Sequence, residues 1–209
     1  MTTYANICKN ILANAVDGEH ISNGFRWYDD AREQCVKFDN VVKHCYPDEH
    51  VSLAHTIGTI AIASANCTVQ ENWYRSLEWF KGNRVALVHR NLETYTDQVC
   101  RFDNHDIGTK KTEPFRVALT RGDSKPFEMV CPVIDRHAVW GATNGSVGEN
   151  PSDALQSLIV RGYHRVARET GVPVTLLQSW GWHSVIKRKG NSSDVIKPFA
   201  IGDYAACNV

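Results

Sequence analysis

An all-α fold is predicted for this 209-residue chain by three observations. Apolar side chains recur at steps of three and four through most of its length, helix start and stop residues bracket the clearest stretches, and strand signals are few. The one strand candidate, VCPVI, contains Pro132, which cannot donate to a ladder, so it reads as an extended loop.

The elements follow in order. WYDDAREQCVKFDNVV places Trp27, Ala31, Cys35, Phe38 and Val42 on one helical stripe, and SLAHTIGTIAIASA continues as a buried helix through Leu53, Ile57, Ile60 and Ala61. ENWYRSLEWF aligns Trp73, Leu77 and Phe80, and NRVALVHRNLETYTDQVCRF aligns Val85, Val88, Leu92 and Tyr95. ENPSDALQSLIVRGYHRVARETG is the clearest helix, with Asn150 as its cap, Pro151 at the first helical position, Asp153 two residues further in and Gly171 as its stop. The last, PVTLLQSWGWHSVIKRK, starts at Pro173 and ends at Gly190, with basic residues where they complement the helix dipole.

Length and composition bound what such helices build. With 43% hydrophobic and 22% charged residues and a mean hydropathy of −0.34, disorder and fibrous repeats are excluded. One unit over 1–209 is expected, or two helical lobes sharing an interface, one over about 50–130 and the other made from the two ends. The longest apolar run, IGTIAIASA, is too short to span a bilayer, and MTTYANICKNILANAV lacks the basic start and unbroken apolar stretch of a signal peptide. A cytoplasmic monomer is therefore expected. Seven scattered cysteines, an odd number, read as reduced thiols, mostly in the core, and no Cys/His cluster has zinc spacing. No metal or cofactor is expected. The net charge is zero, which opposes nucleic-acid binding, but residues 1–80 carry six basic against ten acidic side chains and residues 81–125 carry nine against six. A local basic face is compatible with overall neutrality.

The residues that carry chemistry cluster between 105 and 140. A turn containing Gly108 and Thr109 leads to Lys110, Lys111 and Thr112, then a helix, then Asp135 on an extended lead-in. A tight turn at a helix N-terminus exposes successive backbone N–H groups that bind a phosphate without reading its base. Arg136 and His137 follow Asp135 and diverge by about 100° per residue on a helix, so they cannot both face one pocket with it.

The pieces IGTKKT and VIDRHAVW resemble the central signature of the helix-hairpin-helix DNA glycosylase superfamily, in which a hairpin of the form L-P-G-x-G-x-K-T opens a helix and a V-D-T-H segment supplies the catalytic acid. The hairpin here keeps one glycine where that pattern has two, and the four-cysteine iron–sulfur motif of some members is absent, Cys207 standing alone. Upstream, Ser64, Ala65, Asn66 and Thr68 of SANCTVQENW resemble the superfamily's S-A-Q-x-T turn. FRWYDDA, IAIASANCTVQENWYRSLEWF, VIDRHAVW and TGVPVTLLQSWGWHSVIKRK are similar to a group of bacteriophage-encoded glycosylase-like proteins, over residues from about 25 to 190.

The resemblance implies a helical bundle with a central cleft that takes a base flipped out of double-stranded DNA in the host cytoplasm. It makes Asp135 the carboxylate that stabilises oxocarbenium charge or activates water. Lys111 becomes a Schiff-base amine if burial or the neighbouring Lys110 lowers its pKa, and otherwise both lysines hold phosphate. Asn66 fills the gap left in the duplex. Gly108, Thr109, Lys110, Thr112 and Arg136 contact phosphate, and His137 orients groups in the pocket, where Trp180 or Trp182 stacks on the base. Related phage proteins of base hypermodification point to a second reading, a transferase building on a modified pyrimidine. A third is a DNA-binding protein without chemistry. More ordinary uses stay open for each residue: Asp135 as a helix N-cap, the lysines as a solvated pair, Asn66 as a helix end, and both tryptophans as core.

Overall fold

A computed structural model describes residues 3–64, 67, 69–83, 111–123, 131–148 and 150–190. These residues form eight helices and no strand: α1 (Tyr4–Ser22), α2 (Trp27–Cys45), α3 (Leu53–Ala63), α4 (Val69–Phe80), α5 (Thr112–Arg121), α6 (Arg136–Thr143), α7 (Asp153–Thr170) and α8 (Val174–Arg188). The expected helix through Val85, Val88, Leu92 and Tyr95 lies outside the described residues. The described residues are all-α, and the chain divides into two compact units, one from residues 1–29 and 121–196, the other from residues 30–120 and 197–209.

The first unit is built on α1, which packs against α6, α7 and α8. Thr3 caps it by accepting from Asn6 N. Its inner face consists of Ile7, Ile11 and Ala15, together with Asn14 and Gly18. Gly18 is needed because a Cβ there would lie 1.7 Å from the Trp180 carbonyl oxygen, so the backbones of α1 and α8 come into direct contact. Ile134, Val139, Ile159, Tyr163, Val166 and Leu177 complete the same core. Burying each such side chain contributes roughly 1.5–3 kcal/mol.

The cap of α7 differs from the sequence expectation. The helix starts at Asp153, with the Ser152 hydroxyl accepting from Leu155 N, so Pro151 and Asn150 precede it. Gly171 terminates it in the left-handed conformation, φ 73°. Pro173 stands at the N-cap of α8, where its missing N–H costs nothing. The VCPVI segment is extended without pairing, as Pro132 requires.

In the second unit α3 is almost wholly buried and packs on α4. Phe38 of α2 meets Trp73 and Phe80 of α4 at 5.3 and 6.3 Å between ring centroids. Asp39 joins α2 to the start of α3, accepting from the Thr56 hydroxyl at 2.7 Å with His50 Nε2 at 2.9 Å. Cys8, Cys35, Cys45, Cys67 and Cys131 are free thiols, and burial pushes Cys35 up to about 12, which makes it an inert core residue. Among the described residues no helix is long and apolar enough to cross a membrane, and no group of three His, Cys, Asp or Glu could hold a metal ion.

Candidate functional site

The site develops from the extended segment leading into α6. Gln178 of α8, fully buried, clamps Val133 on both sides of its peptide: its Oε1 accepts from Val133 N at 3.0 Å and its Nε2 donates to Val133 O at 2.6 Å. Pro132 keeps the chain extended, and Asp135 N turns back to Val133 O at 3.1 Å. These contacts fix where the helix begins and so where the Asp135 carboxylate stands.

Asp135 is the N-cap of α6. Its Oδ1 accepts from His137 N at 3.0 Å and Ala138 N at 2.8 Å, satisfying two donors that a helix start leaves without intrahelical partners. The Trp182 indole N–H reaches the same oxygen at 3.3 Å, and His137 Nδ1 lies 3.3 Å from Oδ2. The Asp135 and His137 side chains keep 14% and 21% of their surface exposed, enough for a small group to reach them. Arg136 points to solvent instead, as the angular step along a helix dictates.

A buried aromatic cluster backs the Trp182 ring that touches the carboxylate. Trp182 meets Trp27 edge to face at 5.5 Å and Tyr28 at 6.0 Å, and Trp27 and Tyr28 meet at 4.9 Å. Burial raises the Tyr28 phenol well above its ordinary range, with the charges of Asp123 and Asp135 adding to the rise. Burial also raises Tyr163, and Asp135 is again a contributor. Both phenols therefore stay protonated at any working pH and present neutral surface to the carboxylate.

The two tryptophans of QSWGWHS have separate surroundings. Trp182 touches Asp135, whereas Trp180 is 7% exposed and donates its indole N–H to Phe25 O at 3.1 Å, which leaves its ring in the interior. Lys111 and Thr112 belong to the second unit, at the start of α5: the Lys111 carbonyl accepts from Phe115 N at 3.0 Å and Thr112 is buried. Asn66, Gly108, Thr109 and Lys110 lie outside the described residues.

Sequence reasoning missed three members of this neighbourhood. Trp27 counted only as part of an amphipathic stripe, Tyr28 went unremarked beside it, and Tyr163 was not singled out in α7. The usable signal was the adjacency of Trp27 and Tyr28 at the very start of α2: neighbours about 100° apart on a helix that are both large and aromatic call for a core wrapping more than one face of that first turn, and both are buried.

Chemically the arrangement offers a carboxylate at a helix N-terminus, where the dipole complements negative charge, next to an imidazole and the half-buried Trp182 indole. No protein-family profile, curated protein or solved structure matches the chain.

Proposed function

We propose that this protein acts on a base extruded from DNA, and that it is a helix-hairpin-helix glycosylase-like hydrolase with Asp135 as its carboxylate. The observation that carries the reading is the pairing of Asp135 with Trp182, 3.3 Å apart, beside the Trp27–Tyr28 cluster. A planar heterocycle stacks on the half-buried Trp182 ring, which the buried Trp27 and Tyr28 hold from behind, and its sugar then lies near the carboxylate. The sequence motifs around IGTKKT and VIDRHAVW support it independently.

In the reaction, the bond between C1′ and the base nitrogen breaks with its electron pair leaving on the base, and water adds to C1′. Asp135 stabilises the positive charge that builds on the sugar, and Oδ2 takes the proton from the water. His137 Nδ1, beside Oδ2, holds that oxygen in place. Oδ1 is anchored by two backbone N–H groups, so the carboxylate needs little reorganisation as charge develops. Lys111 and the preceding residues of the IGTKKT motif grip phosphate in this reading.

The test is incubation with duplex DNA carrying modified or damaged pyrimidines, followed by mass spectrometry of the products. Free base and abasic DNA in equal amounts are expected, and Asp135→Asn is expected to slow the release of both by about 10²–10⁴-fold. A heavier nucleoside in place of free base would overturn hydrolysis in favour of group transfer, and unchanged DNA from every substrate would overturn the enzymatic reading. Borohydride reduction on abasic DNA decides the role of Lys111: a trapped lysine adduct assigns it as an amine nucleophile, and its absence leaves it as a phosphate ligand.

A further inference from the structure

The C-terminal turn of α8 carries Lys187 and Arg188, with Lys189 directly after, all three exposed. The Arg188 guanidinium lies 4.9 Å and the Lys189 ammonium 5.5 Å from the centre of the Trp140 ring. Trp140 is itself held in place: a Cβ on Gly145 would sit 2.8 Å from its indole nitrogen, so the ring packs directly against that glycine. Arg188 also donates to Asn144 Oδ1 at 3.3 Å and to Asn14 Oδ1.

This chemistry is unusual for a solvated basic turn. The acceptors that orient Arg188 are neutral amide oxygens, and among the described residues no carboxylate pairs with Lys187, Arg188 or Lys189. Among the described residues the cations are thus positioned without an acidic partner. The α8 dipole accounts for a preference for positive charge at that end, but not for two cations stacked on one ring.

We propose that Trp140, Arg188 and Lys189 form a binding site for the phosphodiester backbone of a DNA strand. The proposal rests on the reading of the protein as acting on DNA and names a backbone contact on the flank of the helix that Asp135 caps. Both features belong to α6: Asp135 caps its start, and Trp140 stands five residues on, about 7.5 Å along the axis and about 140° around it, so the cluster flanks the Asp135 face of the helix. Arg188, with its fork pre-set by Asn144 and Asn14, contacts phosphate oxygens, Lys189 adds charge, and Trp140 supplies an apolar support for both side-chain stems.

The measurement is fluorescence anisotropy of a labelled duplex oligonucleotide titrated with the full chain between 50 and 300 mM NaCl. Each lost phosphate contact lowers the slope of log K against log salt by about 0.9. Arg188→Gln/Lys189→Gln is expected to lower the slope by about 2 and to weaken binding about tenfold or more at 100 mM salt. Because Arg188 also touches Asn14 and Asn144, Lys189→Gln serves as the second variant, with an expected loss of about 1 in slope. Slopes equal to wild type in both variants would overturn the site while leaving the DNA reading intact. A wild-type chain that binds no duplex would overturn both. Normal slope changes together with an Asp135→Asn chain that still releases base at the wild-type rate would keep this site and sink only the catalytic assignment.

Discussion

Two helix starts in the first unit are capped by aspartates, and they use the same hydrogen bonds to different ends. At α2, Asp123 Oδ2 accepts from Tyr28 N at 2.9 Å and Asp29 N at 3.4 Å, and Asp29 Oδ1 returns a contact to Asp123 N at 2.7 Å. Arg26 binds Asp29 at 2.6 Å and donates to Asp123 O. At α6, Asp135 makes the equivalent pair of bonds to His137 N and Ala138 N. Asp123 is fully buried, and burial pushes its carboxyl above the usual range, with the charge of Asp29 adding to the rise and a hydrogen bond from Thr175 opposing it. Asp135 keeps a path to solvent and faces an imidazole and an indole. Capping geometry is therefore silent about function; exposure and the second oxygen's neighbours are what distinguish Asp135 from the buried knot at Asp123. Tyr28 lies between the two, its phenol sensing both charges.

Exchanging the carboxylates for amides or methyls makes that contrast measurable. Asn is as good an N-cap as Asp, so Asp135→Asn is expected to change stability by under about 0.5 kcal/mol while base release falls by about 10²–10⁴-fold. An Asp135→Asn chain with wild-type turnover would reduce Asp135 to a cap like Asp123. Asp123→Ala is the mirror experiment. It leaves one buried and one half-buried N–H group of α2 without their acceptor, and about 2–3 kcal/mol of stability should be lost, read as a lower urea midpoint at unchanged m. A midpoint within error of wild type would mean that the knot at α2 contributes nothing.

The legible part of this molecule is the part governed by local rules. The stripes of α2 and α4, the Gly171 stop and the extended VCPVI lead-in follow from spacing and from Pro and Gly chemistry, and so does the placement of Asp135 at a helix start. The start of α7 was misplaced because Asn150, Pro151 and Ser152 all carry start signals, and only the Ser152 hydroxyl contact with Leu155 N decides among them. The helix α1 was not anticipated. Its buried face includes Asn14 and Gly18, while Leu12 and Val16 are exposed, so its apolar period is blurred by the close approach to Trp180 and by the Asn14 bond to Gly141 O. The site is illegible for a related reason: Trp182 meets Asp135 across 47 residues, and nothing local distinguishes it from Trp180 two positions earlier. Which of two tryptophans packs and which one donates is decided by the rotation of α8 against α1 and α6.

That donation is a weaker handle on the same contrast. Trp182→Phe keeps the ring against Trp27 and Tyr28 but removes the N–H that reaches Asp135 Oδ1. A hydrogen bond to a charged group is worth about 1.5 kcal/mol or more, so roughly tenfold slower base release is expected with KM little changed. Unchanged single-turnover rates would show that the indole only fills space.

The smallest expected effect concerns His183, the residue next to Trp182. It is 4% exposed, its ring meets Phe25 at 6.3 Å, and neither ring nitrogen has a hydrogen-bond partner among the described residues. Burial lowers its pKa below the ordinary 6.5. The unfolded chain therefore takes up a proton near pH 6.5 that the folded chain refuses until lower pH. Stability is full above about 6.5 and declines as pH falls below it, by at most about 1.4 kcal/mol per pH unit for this one proton. Burial and the charge of Arg168 lower His164 in the same direction, so the wild-type decline combines the two. His183→Leu removes one share: it should cost little at pH 7.5, since no hydrogen bond is lost, and its urea midpoint should fall less than wild type between pH 7 and pH 5. Equal declines in both chains would place the acid sensitivity elsewhere, and a variant more acid-sensitive than wild type would contradict the sign of the shift. Unlike Asp135, whose neighbours complement its charge, His183 is a titratable group that the fold holds neutral, which is why its removal should cost so little.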